Sequence, residues 1–247
     1  MAYDPQQSFF DEEDYVLVIA NAPRIESYRD MWGKSYKTQG HEKIKELASR
    51  AAWVVAVDGG GNIAHRYDIK VDYLIGDNDS IMTKVLNEYR NEDVRIIYAD
   101  RYKNKTDLEL ALEFIDSQDE LRSKPLRITN VLGGRVDHEL AALGTIARFS
   151  HLEPRIYENE MRVIFLDADN PELVIRIQKP GLDPPFSVIA LEGEAVVSET
   201  GTKWELDHAR LRPLDPLGVS NHVSMSGEKE ARIVVHEGTV AVFHNIF

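Results

Sequence analysis

The 247-residue chain is long enough for one large domain or two ordinary ones, and its 43% hydrophobic and 29% charged residues are an ordinary globular composition. Its 42 Asp+Glu against 29 Lys+Arg leave a net charge of −13, which excludes the broad basic footprint that nucleic-acid binding needs. There is no cysteine, so disulfides and thiolate chemistry are excluded and a reducing compartment fits.

Residues 1–14, MAYDPQQSFFDEED, read as an acidic tail, expected to be disordered, without the basic start and apolar run of a signal peptide. The longest apolar runs, such as AAWVVAV, are far too short to cross a bilayer, so the expectation is a cytoplasmic protein with no membrane partner. From Tyr15 to about Asn159, short apolar runs alternate with helical patterns. YVLVIA (15–20), WVVAV (53–57), VDYLI (71–75), VRIIYA (94–99), LRITNVL (126–132) and PRIYE (154–158) read as buried strands. Between them HEKIKELASR, IMTKVLNEY, TDLELALEFI and DHELAALGTIARF space their apolar residues by three and four. This alternation predicts a Rossmann-like α/β domain over 15–159 with a largely parallel sheet. From residue 160 to 247 the helical period is gone. RVIFLD, ELVIRI, FSVIAL, AVVSET, TKWELD, ARIVVH and TVAVF are short, β-branched-rich runs separated by turn residues, which predicts an all-β sandwich.

The strand ends of the first half carry clusters of Gly and Asp. After WVVAV stands Asp58-Gly59-Gly60-Gly61-Asn62, where glycines let backbone N–H groups approach an anion or simply make a turn. After VDYLI stands Gly76-Asp77-Asn78-Asp79-Ser80. In an extended segment Asp77 and Asp79 point to the same side, toward the crevice where open α/β sheets bind ligands. Hard carboxylate oxygens of this kind suit Mg²⁺, although a polar turn explains them too. In NKTD, Thr106 and Glu109 form a capping box, Asp107 opens the helix where a third ligand could come from, and Lys105 suits a phosphate. The fifth strand ends in Gly133-Gly134-Arg135-Val-Asp137-His138. There Arg135 can fork onto phosphate oxygens and Asp137 can cap the following helix.

In this order DGG-x-N, GD-x-DS, KTD, GGR-x-DH and the later TGTKW and SN resemble thiamin pyrophosphokinases over nearly the whole chain from Tyr15, with the long 21–40 segment closer to eukaryotic members. The resemblance implies transfer of a pyrophosphoryl group from ATP to the hydroxyethyl group of thiamine, giving thiamine diphosphate and AMP. It implies Mg²⁺ on Asp77, Asp79 and Asp107, and ATP lined by Asp58, Gly59, Gly60, Asn62, Thr106, Gly133 and Gly134. Lys105 and Arg135 would steady the triphosphate, and Asp137 and His138 would lie near the acceptor alcohol. The resemblance also implies thiamine against Trp204, with Ser220 and Asn221 bonding its aminopyrimidine, and a homodimer that shares its active sites between subunits. On pattern alone Trp204 shares a strand face with Leu206 and would be core.

Two other readings remain at this level. Gly59-x-Gly61-x-x-Ala64 after a strand matches the dinucleotide fingerprint of a nicotinamide-dependent oxidoreductase, with Asp77 as ribose partner. A non-catalytic nucleotide or thiamine sensor could keep the same fold.

Overall fold

The computed structural model describes residues 14–22, 27–29, 35–37, 40–99, 104–158, 161–177, 185–225 and 229–245. The acidic tail expected at 1–14 therefore lies, apart from Asp14, outside the described residues. The chain forms two compact units, one within Glu12–Ile146 and Ile156–Asn159, the other within Ala147–Arg155 and Glu160–Phe247.

The first unit alternates strand and helix. In chain order it contains β1 (Tyr15–Ile19), the short antiparallel pair β2 (Ser27–Arg29) and β3 (Ser35–Lys37), α1 (Gly40–Arg50), β4 (Ala51–Val57), α2 (Gly60–Arg66) and β5 (Tyr73–Gly76). There follow α3 (Thr83–Asn91), β6 (Arg95–Tyr98), α4 (Asp107–Ser117), α5 (Asp119–Arg122), β7 (Leu126–Thr129), α6 (Val136–Ala147) and β8 (Arg155–Glu158). The strand order is β8-β7-β1-β4-β5-β6, and β7–β1, β1–β4, β4–β5 and β5–β6 all pair parallel. The parallel-sheet half read from the sequence is thus present. All five residues of β1, at the centre, are buried, as a parallel strand covered on both faces requires. The helices contribute apolar stripes: Ile44 and Leu47 from α1, Val85 and Tyr89 from α3, Leu108, Ala111, Leu112 and Ile115 from α4.

Gly60 owes its place to packing. A Cβ there would stand 2.1 Å from the carbonyl oxygen of Ile19, so only glycine lets α2 start against the end of β1. The Gly-rich stretch after β4 therefore has a structural cause before any ligand is considered.

The second unit is antiparallel. It comprises β9 (Met161–Leu166), β10 (Glu172–Arg176), β11 (Phe186–Thr200), β12 (Leu206–Leu211) and β13 (Glu230–Asn245), in the order β12-β11-β13-β9 with β10 also on β13. FSVIAL and AVVSET, expected as two strands, are one 15-residue strand, and ARIVVH and TVAVF join into one of 16 residues. The exposed Glu192–Glu194 stretch was read as a strand break, but register shifts between Ala190 and Val197 absorb it within the pairing with β13. Both halves of these long strands feed one core. Phe186, Val188, Val240 and Val242 from one half meet Val197, Ile233 and Val235 from the other, with Ile164, Leu173, Ile175 and Leu211.

The expected strand TKWELD is corrected. Strand β12 begins only at Leu206; Thr202 makes an isolated bridge to Val223, and Trp204 lies in a turn, 54% exposed. Leu206 packs on the core but Trp204 does not share its face. The cause is local: the Asn221 side chain takes the backbone N–H and C=O of Trp204, which a strand partner would otherwise use.

Candidate active site

Strands β4 and β5 each lead into a turn beside the start of α4, and acidic residues from these three places collect together. Asp58 directly follows β4 in left-handed backbone, φ +45°. Its N–H donates to the Ile75 carbonyl at 2.9 Å, which fastens this turn to β5. Asp77 follows β5, and Asp107 is the first residue of α4, behind the N-cap Thr106 whose Oγ1 accepts from the Glu109 N–H at 3.2 Å. One carboxylate oxygen from each of Asp58, Asp77 and Asp107 lies within 4.8 Å of the other two.

This donor set fits a small divalent cation. Ligands at about 2.1 Å around Mg²⁺ stand no more than about 4.2 Å apart across the ion, so oxygens gathered within such a radius are of the right order for a shared ion. The oxygens are hard donors, and like charges so close are costly unless a cation is shared. Burial pushes the Asp58 carboxyl above the usual carboxylate range, hydrogen bonds from Ser80 and Gly59 pull the other way, and the charge of Asp107 adds to the rise.

Gly76 sets the spacing. At φ +151° it adopts backbone that other residues avoid, and a Cβ there would lie 3.0 Å from the Cβ of Asp58 and 3.3 Å from the Asp107 carboxyl. Gly76→Ala is expected to destabilise the protein by ~1–3 kcal/mol and to lose most turnover, through backbone strain and separation of the carboxylates. An alanine variant with wild-type melting temperature and wild-type turnover would show that neither the strain nor the spacing matters.

Asp79 is placed differently from the expectation. Its side chain is not one of the converging three: its Oδ1 accepts from the Ser80 hydroxyl at 2.9 Å, and its N–H donates to Asp77 Oδ1 at 3.1 Å. The same-side argument assumed an extended backbone, but Asn78 is left-handed at φ +60° and turns the chain between the two aspartates. Asp58, assigned to the nucleotide from sequence, stands in its place in the cluster.

Asn62 is likewise occupied. Its Nδ2 donates to the Ser80 carbonyl at 2.9 Å and its Oδ1 accepts from the Met82 N–H at 2.8 Å, so it sews α2 to the loop that carries Asp77. The basic residues are exposed and sit on acidic neighbours. Lys105 Nζ lies 2.5 Å from Glu113 Oε1. Arg135 forks onto Asp137, at 3.2 Å from Nε and 2.5 Å from Nη2, and holds the Asp137 carboxyl below its usual range. Gly133 donates its N–H to Glu139 Oε1 at 3.0 Å; Gly134, Asp137 and His138 are exposed at the start of α6. Glu158, which sequence reading missed, fixes this loop from below: its Oε1 accepts the Val131 N–H at 2.7 Å and the Leu132 N–H at 3.2 Å.

In the second unit the residues assigned to the acceptor form a small constellation. Trp204 is exposed, with Lys203 Nζ 4.4 Å from its ring centroid and the His222 ring at 6.3 Å. Ser220 is exposed at φ +61°, its N–H bound to Ser187 Oγ at 3.0 Å. Asn221, in contrast, is 4% exposed and fully engaged. Its Oδ1 accepts from the Trp204 and His222 N–H groups at 3.2 and 2.9 Å; its Nδ2 donates to the Trp204 carbonyl at 2.8 Å and to Glu199 Oε2 at 2.6 Å. A carboxamide has two acceptor and two donor positions, and these bonds fill all four, so in this arrangement the Asn221 amide, expected on the aminopyrimidine, supports the Trp204 turn.

Comparison with known proteins places these geometries. Residues 44–158 match the family model for the thiamin pyrophosphokinase catalytic domain, and residues 172–240 match that for its vitamin B1 binding domain. A curated relative, thiamine pyrophosphokinase 1 of Oryza sativa subsp. japonica, is 26% identical over 198 residues, 72% of this chain and 74% of that protein. The fold is similar to that of a thiamin pyrophosphokinase family protein from Enterococcus faecalis (TM-score 0.69, 18% identity, 94% of this chain and 99% of that one). It is also similar to yeast thiamin pyrophosphokinase (TM-score 0.67, 18% identity, 96% of this chain and 87% of that one).

Proposed function

The chain belongs to the thiamin pyrophosphokinase family, and we propose that it transfers the β,γ-pyrophosphoryl group of ATP to the hydroxyl of thiamine, with Mg²⁺ held by Asp58, Asp77 and Asp107. The observation that carries this reading is the convergence of those three carboxylates at one edge of the sheet. Bound there, Mg²⁺ supplies charge neutralisation and a template for the phosphate oxygens. The thiamine hydroxyl oxygen bonds to the β-phosphorus as the bond from that phosphorus to the α-bridging oxygen breaks, and AMP leaves. Such a transfer asks a protein for alignment and charge stabilisation more than for covalent chemistry.

Lys105 and Arg135 supply positive charge to the triphosphate by exchanging Glu113 and Asp137 for phosphate oxygens. Both are surface ion pairs, which solvent screens and which cost little to exchange. The Arg135 fork matches a pair of phosphate oxygens as readily as a carboxylate. Asn62 and Glu158 hold the two loops in place, and Gly76 sets the distance between Asp58 and Asp107. Trp204 offers an exposed π-face to the cationic thiazolium, and the Lys203 ammonium near its centroid shows the ring already serving as a cation platform. A homodimer with shared sites and a cytoplasmic setting belong to the same reading. Among the described residues no helix is long and apolar enough to cross a membrane.

The oxidoreductase alternative loses its footing. Of the glycines it relied on, Gly59 caps a seven-residue helix against the Asn21 side chain and Gly61 packs against Ile81, Tyr89 and Leu74, and Asp77 belongs to an acidic triad that a ribose contact does not explain. Purified protein supplied with ATP, Mg²⁺ and thiamine is expected to release AMP and thiamine diphosphate in equal amounts. ADP as the nucleotide product would make it an ordinary kinase, and no turnover would leave a binding protein.

A further inference from the structure

Strand β11 alternates inward and outward along its second half, and its inward residues are Ala195, Val197 and then Glu199. The first two belong to the apolar core of the unit, beside Leu211, Val223 and Ile233. Glu199 is 0% exposed, and burial pushes its carboxyl up to about 7. Among the described residues its Oε1 has no hydrogen-bond partner, while Oε2 accepts a bond at 2.6 Å from Asn221 Nδ2. A carboxyl group on the apolar face of a sheet with one partner is unfavourable as packing alone, since a hydrophobic residue of like volume serves there at least as well.

What the partner does gives this carboxyl a use. The Asn221 carboxamide is the clasp between two segments: it holds both backbone groups of Trp204 and the N–H of His222, and its own backbone pairs with Phe186 on β11. An amide can rotate about its terminal torsion, and exchange of its oxygen and nitrogen would put donors against the Trp204 and His222 N–H groups. Glu199 opposes that: a carboxylate oxygen accepts from the NH₂ end and would repel the oxygen end. The chain thus spends a buried acid to fix one orientation of one amide, and that amide fixes the turn bearing the exposed indole.

We propose that Glu199 is a positioning residue for the acceptor site, orienting Trp204 through the Asn221 carboxamide. That it acts on thiamine rests on the function proposed above; that it orients Trp204 does not. Two variants separate charge and acceptor from shape: Glu199→Gln keeps an acceptor oxygen for Asn221, and Glu199→Leu keeps bulk without one. With 5-fluorotryptophan incorporated and the Trp204 resonance assigned from Trp204→Phe among the three tryptophans, the ligand-free spectrum reads the turn directly.

In Glu199→Leu the Trp204 fluorine resonance is expected to move or broaden while the melting temperature holds. The KM for thiamine should rise roughly tenfold, as for a buried donor left unpaired, with the KM for ATP changed less than about twofold. Glu199→Gln should return the resonance and the thiamine KM toward wild type. Should leucine not be accommodated, Glu199→Val, β-branched and suited to a strand, repeats the comparison. An unmoved Trp204 resonance in the apolar variants, equal rises in both KM values, or failure of Gln to restore would each overturn the proposal. If wild-type protein makes no AMP from thiamine, the proposed function fails, and the fluorine spectra alone still decide whether Glu199 orients the turn.

Discussion

Asp77→Asn protein is expected to fold and melt like the wild type and to lose turnover by ~10³-fold or more, the scale on which metal-borne and electrostatic stabilisation of a transition state operates. The two halves of that result have separate causes. Asn keeps the Oδ1 that accepts from the Asp79 N–H, so the turn after β5 retains its bond. Removing one of three crowded negative charges also relieves repulsion, so stability has little to lose. What disappears is one anionic ligand, and with it the charge that retains a divalent cation against water. Thermal melting beside a discontinuous AMP assay at saturating Mg²⁺ checks both halves. Near-normal turnover would mean that the triad does not hold the metal. Asp79→Asn supplies the contrast: outside the converging three, it should cost far less than Asp77→Asn.

The second large effect concerns Trp204. Replacing it with Ala should raise the thiamine requirement by about tenfold or more, the loss of a large aromatic platform and its attraction for a cation. The ATP requirement should barely change. Because Trp204 is an exposed residue outside the core, removing its side chain opens no core cavity, and the melting temperature should stay within a few degrees. The measurement is a pair of KM titrations on the variant and wild type. Parallel increases for both substrates, or a marked fall in melting temperature, would show that the indole supports structure and not the vitamin.

The sequence carried the architecture wherever periodicity had length to act. Five-residue runs such as YVLVI and helices such as DLELALEFIDS are unambiguous because burial on two faces or on one stripe leaves its own spacing. The length of β11 and β13 was not legible, because Glu192-Gly193-Glu194 has the composition of a turn and only its cross-strand register reveals a bulge. Within the site, the acidic edge could be read but its membership could not. The alternation rule that favours Asp79 is broken by one left-handed residue, Asn78, and Asp58, which the resemblance assigns to the nucleotide, joins the cluster through a turn fastened to the neighbouring strand. The engagement of the Asn221 amide with Trp204 is not legible in the sequence, since hydrogen-bond capacity is only exhausted in three dimensions. Glu199 did leave a trace: it is the one charged residue in the inward phase Ala195, Val197, Glu199, an interruption that alternation alone could have flagged.

The stitching of Asp58 to β5 and the placing of Gly76 between two carboxylates have a bearing on which changes the chain can tolerate over evolutionary time. Asp58 and Asp77 stand at the ends of the neighbouring parallel strands β4 and β5, so their separation is borrowed from the roughly 4.8 Å interval between strands, while Asp107 comes from the start of α4. Residues may be added to or lost from the far ends of the intervening helices with little consequence. Deleting a single residue inside β5, however, would draw Asp77 back by about 3.3 Å and turn it to the opposite side of the sheet. Changes in loop length and surface sequence are therefore expected to be tolerated better than any change in the residue count of β5.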